Sequence, residues 1–313
     1  MLKTEADHTE MSFYYMRING REETLLEFLL RKFRYLNEQE WMEAILAQHL
    51  LVDHREGDPF QILKNNQKII YIRSDHLEPP VDAEFDIIYE DEDLIAVNKS
   101  GDLPTSPSGK YYKNTLVHQV KEKLGWEKIY TLHRLDRETS GVIVFAKRQE
   151  VAQMMATMFR ERKIEKRYIA ILERPLPAPD VFLSVPIGPA IDSPVRIKQW
   201  VIPEGKTSQT RFIFQESIGN YTRVEVRPLT GRTHQIRVHA AYLGSPIVGD
   251  KLYALKNDGF LQWKDEGESF LVSQNFPTHR QLLHASELRF CHPVTGRPLL
   301  IKADDAILTR HLG

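Results

Sequence analysis

Asp136 stands between two arginines in the run His133-Arg134-Leu135-Asp136-Arg137-Glu138-Thr139-Ser140-Gly141. A carboxylate held in a polar turn just before a strand suits nucleophilic attack or proton abstraction. The flanking guanidinium groups would lower its pKa and keep it ionised near neutrality. Gly141 admits a positive φ or a close backbone approach. Taken alone, an aspartate between arginines is more often a structural salt bridge, so the assignment depends on what else the chain carries.

A second constellation is Arg227-Pro228-Leu229-Thr230-Gly231-Arg232-Thr233-His234-Gln235-Ile236-Arg237-Val238-His239. Thr233 is placed to cap a helix running to Leu243, which Gly244 would end. Ile236, Ala240 and Leu243 form the apolar stripe of that helix. Arg237 lies about 100° from Ile236 and off the stripe, available to a carboxylate or a phosphate. A helix start with added guanidinium groups also suits a nucleic-acid phosphate; a solvated basic helix is the plain alternative. Tyr168 follows Lys166-Arg167 on a predicted strand. It is either half-buried core or a platform on which a nucleobase stacks.

Other chemistries fit less well. Lys99 followed by His133-Arg134-Leu135-Asp136 has a kinase-like ring to it, but no Gly-rich phosphate loop precedes Lys99 and the catalytic-loop Asn is absent. His234 and His239 lack the i, i+4 spacing of a zinc-protease helix, and there is no Cys-x-x-Cys, so no metal is expected. Cys291-His292 reads as ordinary strand packing.

The elements that must position these groups follow from pattern. The 313 residues, 42% hydrophobic and 27% charged, allow one large domain or two smaller ones. The formal net charge is -1, divided unevenly: residues 1–80 carry 10 Lys+Arg against 14 Asp+Glu, the remainder 32 against 29. The larger part is slightly basic, which permits RNA binding without requiring it. One cysteine, a polar start unlike a secretory signal, and no apolar run near the roughly 18–20 residues of a membrane span lead to the expectation of a cytoplasmic protein, with a monomer as the default.

Residues 1–11 read as a disordered tail. Leu25 to Phe33 and Glu38 to Gln48 read as helices. Leu50-Leu51-Val52 and Lys68-Ile69-Ile70-Tyr71-Ile72 read as strands around a turn at Gly57-Asp58-Pro59, and Glu78-Pro79-Pro80 as a linker. From residue 82 a hairpin is expected over 87–97, helices over 114–124 and 149–162, and strands over 142–146, 168–172, 194–202, 208–216, 221–227, 283–290 and 297–302. Val151, Met154, Met155 and Met158 would form the apolar side of the helix at 149–162. Many strands without βαβ alternation predict an α+β fold around a mixed, largely antiparallel central sheet with flanking helices.

These blocks, in this order, resemble the RluA family of pseudouridine synthases: Tyr89 to Lys99, His133 to Gly141, Lys166-Arg167-Tyr168, Leu229 to His239, and Leu282-Leu283-His284-Ala285 with His292-Pro293. The resemblance covers residues 82–303. It departs from the usual pattern after Lys99, where Ser100 and Ser106 replace the usual Pro and His. It implies the pseudouridine synthase fold over 82–313 and isomerisation of uridine in RNA without a cofactor. It also implies that Asp136 is the essential aspartate and Arg237 its partner. Tyr168 would then be the base-stacking tyrosine, Leu283 the apolar residue packing nearby, and Arg134 the residue that enters the space left by a flipped nucleotide. Ribosomal RNA is the first expected substrate, tRNA the second, and a non-catalytic RNA-binding or chaperone protein of the same fold the alternative. Residues 12–78 resemble an S4 RNA-binding domain, with Leu50-Leu51-Val52-Asp53-His54 where that family has Val-x-Val-Asn-Gly. Its basic helix face is sparse, whereas phosphate contacts need clustered Lys/Arg; a small dimerisation or stabilising domain is the other reading.

Overall fold

The computed structural model describes residues 9–308, except 19, 21, 34–35, 74–77, 110 and 256. The chain divides into two compact units, one of residues 1–80 with 107–114, the other of 81–106 with 115–313.

In the first unit, β1 (Thr9–Tyr14) is followed by α1 (Leu25–Lys32), α2 (Glu38–Leu46), β2 (Leu50–Val52), β3 (Arg55–Glu56) and β4 (Lys68–Arg73). Both helices start where a capping box dictates. Thr24 with Glu27 and Asn37 with Glu40 each satisfy two otherwise orphaned backbone N–H groups. The apolar faces of the helices close over a sheet of order β1-β4-β2-β3 and bury Tyr15, Phe28, Leu29, Trp41, Ile45 and Leu63. β1 corrects the expected tail: residues 9–11 pair with β4 in register Thr9↔Arg73 to Met11↔Tyr71, while residues 1–8 lie outside the described residues. Segment 107–114 returns to this unit, where Glu78 accepts the backbone N–H groups of Tyr112, Lys113 and Asn114, each at 2.8 Å.

The second unit holds β5 (Phe85–Glu90), β6 (Leu94–Lys99), α3 (Leu116–Leu124), β7 (Tyr130–Thr131), β8 (Ser140–Ala146), α4 (Gln149–Arg160), β9 (Glu165–Leu172), β10 (Asp180–Ser184), β11 (Ile187–Pro189), β12 (Gln199–Val201), β13 (Gln209–Ile218), β14 (Tyr221–Pro228), α5 (Gln235–Tyr242), α6 (Asn257–Glu266), α7 (Glu268–Ser273), β15 (Leu283–Cys291) and β16 (Pro298–Lys302). Its large sheet runs β10-β13-β14-β9-β15-β8-β6-β5, with β16 on β15 and β7 on β8. All neighbours are antiparallel except β15 and β8, which pair in parallel through His284↔Ser140 and Ala285↔Gly141. The sheet is thus mixed and largely antiparallel, and the unit is α+β.

β8 is buried along its whole length because both its faces are covered. Ile143 and Phe145 pack with Leu116 and Val120 of α3, while Val142 and Val144 pack with Val151 and Met155 of α4. Met154 falls outside this cluster and is exposed. α5 lays Ile236 and Ala240 on Ala170, Phe212, Val224, Val226 and Leu283. The strand expected over 194–202 is shorter, at Gln199–Val201, because it pairs only with the three residues of β11. β10, β11, α6 and α7 were not anticipated: β10, β11 and α7 are short, and α6 starts with Asn257-Asp258-Gly259, which reads as a turn. Among the described residues no helix is long and apolar enough to cross a membrane.

Candidate active site

Asp136 sits in the turn between β7 and β8, and that turn is fixed by its neighbours on both sides. Thr105 Oγ1 accepts the Leu135 N–H at 3.1 Å and donates to the Leu135 carbonyl at 2.9 Å. Lys99 is buried and donates from Nζ to the carbonyls of Ser100 at 2.7 Å and Arg137 at 2.9 Å. Burial and the Arg280 charge bring the Lys99 pKa down to about 7. On the other side Glu138 accepts from Lys251 Nζ at 3.0 Å and from the Gln281 N–H at 3.2 Å. Gln281 Nε2 in turn donates to Thr139 Oγ1 at 2.6 Å.

Gly141 closes the turn with φ at +110°, and a Cβ there would lie 2.2 Å from the Ala285 carbonyl oxygen. This is the point where β8 meets β15, so the backbone itself would have to part. Gly141→Ala is therefore expected to cost about 3 kcal/mol of stability. Urea unfolding of the two proteins checks this; equal midpoints would show that the junction yields freely.

Arg237 comes to Asp136 from α5, and α5 does not begin as expected. Thr233 does not cap it. His234 occupies the cap position in a left-handed conformation, φ 56°, with no side-chain cap bond. The side chain of Gln235 ties the start instead: its Oε1 accepts from the Arg232 N–H at 3.0 Å and Thr230 Oγ1 at 2.7 Å, and its Nε2 donates to the Gln209 carbonyl and Thr210 Oγ1, both at 2.9 Å. The helix ends as expected at Gly244, φ +75°. Nor is Arg237 on a solvated face; Gln235 to Ala240 are all buried.

The guanidinium is divided between two carboxylates. Nη1 donates to Asp136 Oδ2 at 2.8 Å, while Nε and Nη2 grip Asp250 at 2.7 and 2.9 Å. Asp250 also accepts the N–H groups of Leu252 and Tyr253 at 3.1 and 3.2 Å, and the Tyr253 ring lies 5.1 Å beneath the guanidinium carbon. The two carboxylates differ in what solvent can reach. Asp250 is 0% exposed, whereas the Asp136 side chain keeps 31%. Asp250 can only hold Arg237; Asp136 can meet a substrate. Among the described residues, Asp136 Oδ1 accepts no hydrogen bond and stays open to the pocket.

Burial opposes ionisation of Asp136, but the charge and hydrogen bond of Arg237, with His234 and Arg134, outweigh it and hold the carboxyl below its usual range. The second neighbour in sequence does not contribute as expected. Arg137 turns to Asp102 and Glu138, both at 3.2 Å. His234 Nε2 lies 3.9 Å from Asp136 Oδ2. Burial and Arg237 lower the His234 pKa to about 4, so the ring is neutral at neutral pH. Its Nδ1 is 3.0 Å from the Tyr253 hydroxyl; with that hydroxyl as donor, Nε2 carries the proton and faces the carboxylate.

A pocket of about 480 Å³ opens beside Asp136 and gathers all five residues singled out from the sequence: Arg134, Asp136, Tyr168, Arg237 and Leu283. Tyr168 and Leu283 belong to one apolar cluster with Ile236 and Val226. Burial and the Asp136 charge raise the Tyr168 phenol above its usual pKa, so it stays protonated. Arg134 is exposed at the rim. Among the described residues no three His, Cys, Asp or Glu side chains group as metal ligands. Sequence reasoning missed Asp250, Tyr253 and His234; of these only His234 lay inside a block already singled out.

The RNA pseudouridylate synthase family profile matches residues 93–242, which include Asp136, Tyr168 and Arg237. A tRNA pseudouridine synthase C of Vibrio parahaemolyticus is 35% identical over 233 residues, covering 71% of this chain and 90% of the relative. The chain belongs to the RNA pseudouridylate synthase family. That confirms the expectation drawn from the RluA-type blocks. A ribosomal large subunit pseudouridine synthase D of Xylella fastidiosa is 32% identical over 295 residues, 90% of this chain and 85% of that protein. The human pseudouridylate synthase RPUSD2 is 33% identical over 74% of this chain, which spans only 42% of that relative's length. In structure, human RNA Pseudouridylate Synthase Domain Containing 1 superposes with a TM-score of 0.59 at 27% identity, covering 75% of this chain and 89% of its own. This family member therefore shares the pseudouridine synthase fold.

Proposed function

We propose that this protein isomerises uridine in structured ribosomal RNA to pseudouridine, acting in the cytoplasm. The observation that carries the reading is one partly exposed, ionised carboxylate, Asp136, held at the mouth of a pocket by a guanidinium that a second, buried carboxylate locks. Among the relatives, the ribosomal large subunit enzyme of Xylella fastidiosa aligns with 90% of the chain, the tRNA enzyme of Vibrio parahaemolyticus with 71%. The extra span favours ribosomal RNA over tRNA.

The uridine must leave its stack, which costs a few kcal/mol. The Tyr168 ring and Leu283 receive the base, and Arg134 at the rim fills the space it leaves. The bond from ring nitrogen N1 to the sugar carbon then breaks, the base turns, and carbon C5 bonds to the sugar carbon in its place; C5 gives up its proton and N1 takes one up, so the product is an isomer of the substrate. Asp136 Oδ1 serves the carboxylate's part in this, by attack on the sugar or the ring or by removing a sugar proton. Arg237 holds Oδ2 throughout.

Stacking has a testable size. Tyr168→Ala removes roughly 1–3 kcal/mol of base stacking, so KM for RNA should rise about 5- to 150-fold. Tyr168→Phe keeps the ring and should keep KM. Steady-state kinetics on a uridine-containing stem-loop compares the two; a Phe variant as poor as Ala would rule out stacking as the ring's contribution.

The function itself is tested by mapping pseudouridine across cellular RNA in three strains: gene deleted, restored with wild type, and restored with Asp136→Ala. Ribosomal sites lost on deletion and regained only with wild type establish the reading. Loss confined to tRNA would move the substrate to tRNA, and no lost site anywhere would leave a non-catalytic RNA-binding protein.

A further inference from the structure

The uridine pocket is not the largest concavity of the catalytic unit. Along a lip formed by Lys166, Pro228, Thr230, Gly231 and Arg232 it meets a trough of about 1350 Å³. Eight arginine or lysine side chains and three carboxylates line that trough, in a chain whose formal net charge is -1. The concentration of cations is local and is not inherited from composition.

Sheet geometry sets where the trough lies. Val226 packs with Tyr168 beneath α5, so the next residue of β14, Arg227, points to the opposite face. On that face Phe182 of β10, Arg211 of β13 and Arg227 of β14 stand side by side, in register Phe182↔Arg211 and Arg211↔Arg227. Like charges directly opposite in an antiparallel pair are destabilising. Two carboxylates offset the arginines in part: Asp180 pairs with Arg211, and Glu225 is shared between Arg227 and Arg167, 2.6 Å from each. Arg211 and Arg227 nevertheless keep 49% and 56% of their side-chain exposure, and Phe182 keeps 54%. Among the described residues neither Arg160 nor Arg162 meets a carboxylate, and Arg289 lies 4.0 Å from its nearest, Glu287. An exposed aromatic beside an arginine row is suited to a polyanion that also carries flat bases.

The lip joins this face to the uridine pocket. Gly231 has no side chain there, and a Cβ on it would sit 3.5 Å from Lys166 Nζ. The Lys166 side chain is partly buried, with the Phe159 ring 5.4 Å from its ammonium and no carboxylate partner among the described residues. Among the described residues, Lys166 and Arg232 are the cations common to both cavities.

We propose that the trough carries the phosphates of the RNA strand leaving the uridine pocket. The strand crosses the bare Gly231 sill past Lys166 and continues along the opposite face of the sheet, through the cavity that Phe182, Arg211 and Arg227 line together with Arg160, Arg162 and Arg289. The inference rests on the isomerase reading for what occupies the pocket, and it adds that RNA is gripped on both faces of the sheet. A compact single-stranded target reaching only the Tyr168 face would not use it.

The test is binding of a uridine-loop stem-loop RNA across a salt series, in an Asp136→Asn background so that no turnover occurs. One triple variant, Arg160→Gln with Arg162→Asn and Arg289→Gln, removes three of the eight cations of the trough, those with the least carboxylate pairing among the ones that do not also line the uridine pocket; Asn suits the left-handed backbone of residue 162, φ 57°. The control triple, Arg196→Gln with Lys206→Gln and Lys264→Gln, removes the same charge outside both cavities. Each phosphate that a variant no longer neutralises flattens the slope of log K against log[salt] by about 0.7–0.9, so the trough triple should shift it by about 2 units and the control by well under 1. Thermal midpoints should match the parent. Equal slopes for the two triples, or unchanged affinity in the trough triple, would overturn the inference and leave the isomerase reading intact. RNA held through the trough by a wild-type protein that forms no pseudouridine would sink the isomerase reading and keep the trough.

Discussion

Asp136→Ala is expected to lower pseudouridine formation by at least ~10⁴-fold, since removal of a reacting group whose neighbours remain in place costs about that much or more. Folding should survive the change. Arg237 still holds both contacts to Asp250, so no buried charge is stranded, and Asp136 contributes only one of the three hydrogen bonds on that guanidinium. Asp136→Asn should be as inactive, because an amide neither attacks nor takes a proton. Single-turnover rates on a labelled RNA, read beside a thermal melt, measure both halves of the expectation. Retention of more than about 1% of wild-type turnover would remove Asp136 from the reacting position.

Asp250→Asn should show the reverse balance. Asp250 is fully buried and its partner nearly so. Neutralising it leaves Arg237 with one partly exposed carboxylate, and breaking a buried pair from one side costs about 3 kcal/mol or more. The loss should appear in urea unfolding. Turnover should fall as well, by about 10²-fold, because a guanidinium gripped at one edge no longer fixes Asp136 to within a fraction of an ångström. KM should move little, since Asp250 touches no substrate. A variant that is destabilised but turns over at the wild-type rate would make Asp250 a structural residue only. Arg237→Lys should not restore function in either background, because one ammonium cannot reproduce three directed N–H contacts.

These two residues also mark what could and could not be read from the chain. The turn around Asp136 was legible locally, from polar residues, then Gly141, then an apolar run, but that turn alone reads as a salt bridge, and only its company with the Tyr168, Arg237 and Leu283 blocks singled Asp136 out. Arg237 was legible as a residue that would meet a carboxylate, but its burial was not. Helical periodicity revealed one stripe, Ile236 and Ala240, whereas the helix is covered over most of its circumference by β12, β13 and β14. The cap was misplaced for a related reason. Thr233 has the right side chain, but Gln235 makes four side-chain hydrogen bonds, two of them to Gln209 and Thr210 of β13, that fix the helix start one residue later. Asp250 could not be found at all. Gly249-Asp250-Lys251 reads as an ordinary turn, and its partner lies across the fold; only packing brings them together. The sheet's class was legible from the strand run, yet its order was not, since nothing local tells β15 to enter between β8 and β9.

That placement of β15 bears on when the protein becomes competent during synthesis. The two halves of the large sheet carry Asp136 and Arg237 separately, and the strand that bridges them, residues 283–291, is synthesised after both. Pairings so distant in sequence are slow to form and carry a large loop-closure cost. A nascent chain arrested at residue 275 already contains Asp136, Tyr168, Arg237 and Asp250, yet has nothing to dock β8 against β9. It should form no pseudouridine, because Asp136 and Arg237 are brought into one site only once β15 pairs with both β8 and β9.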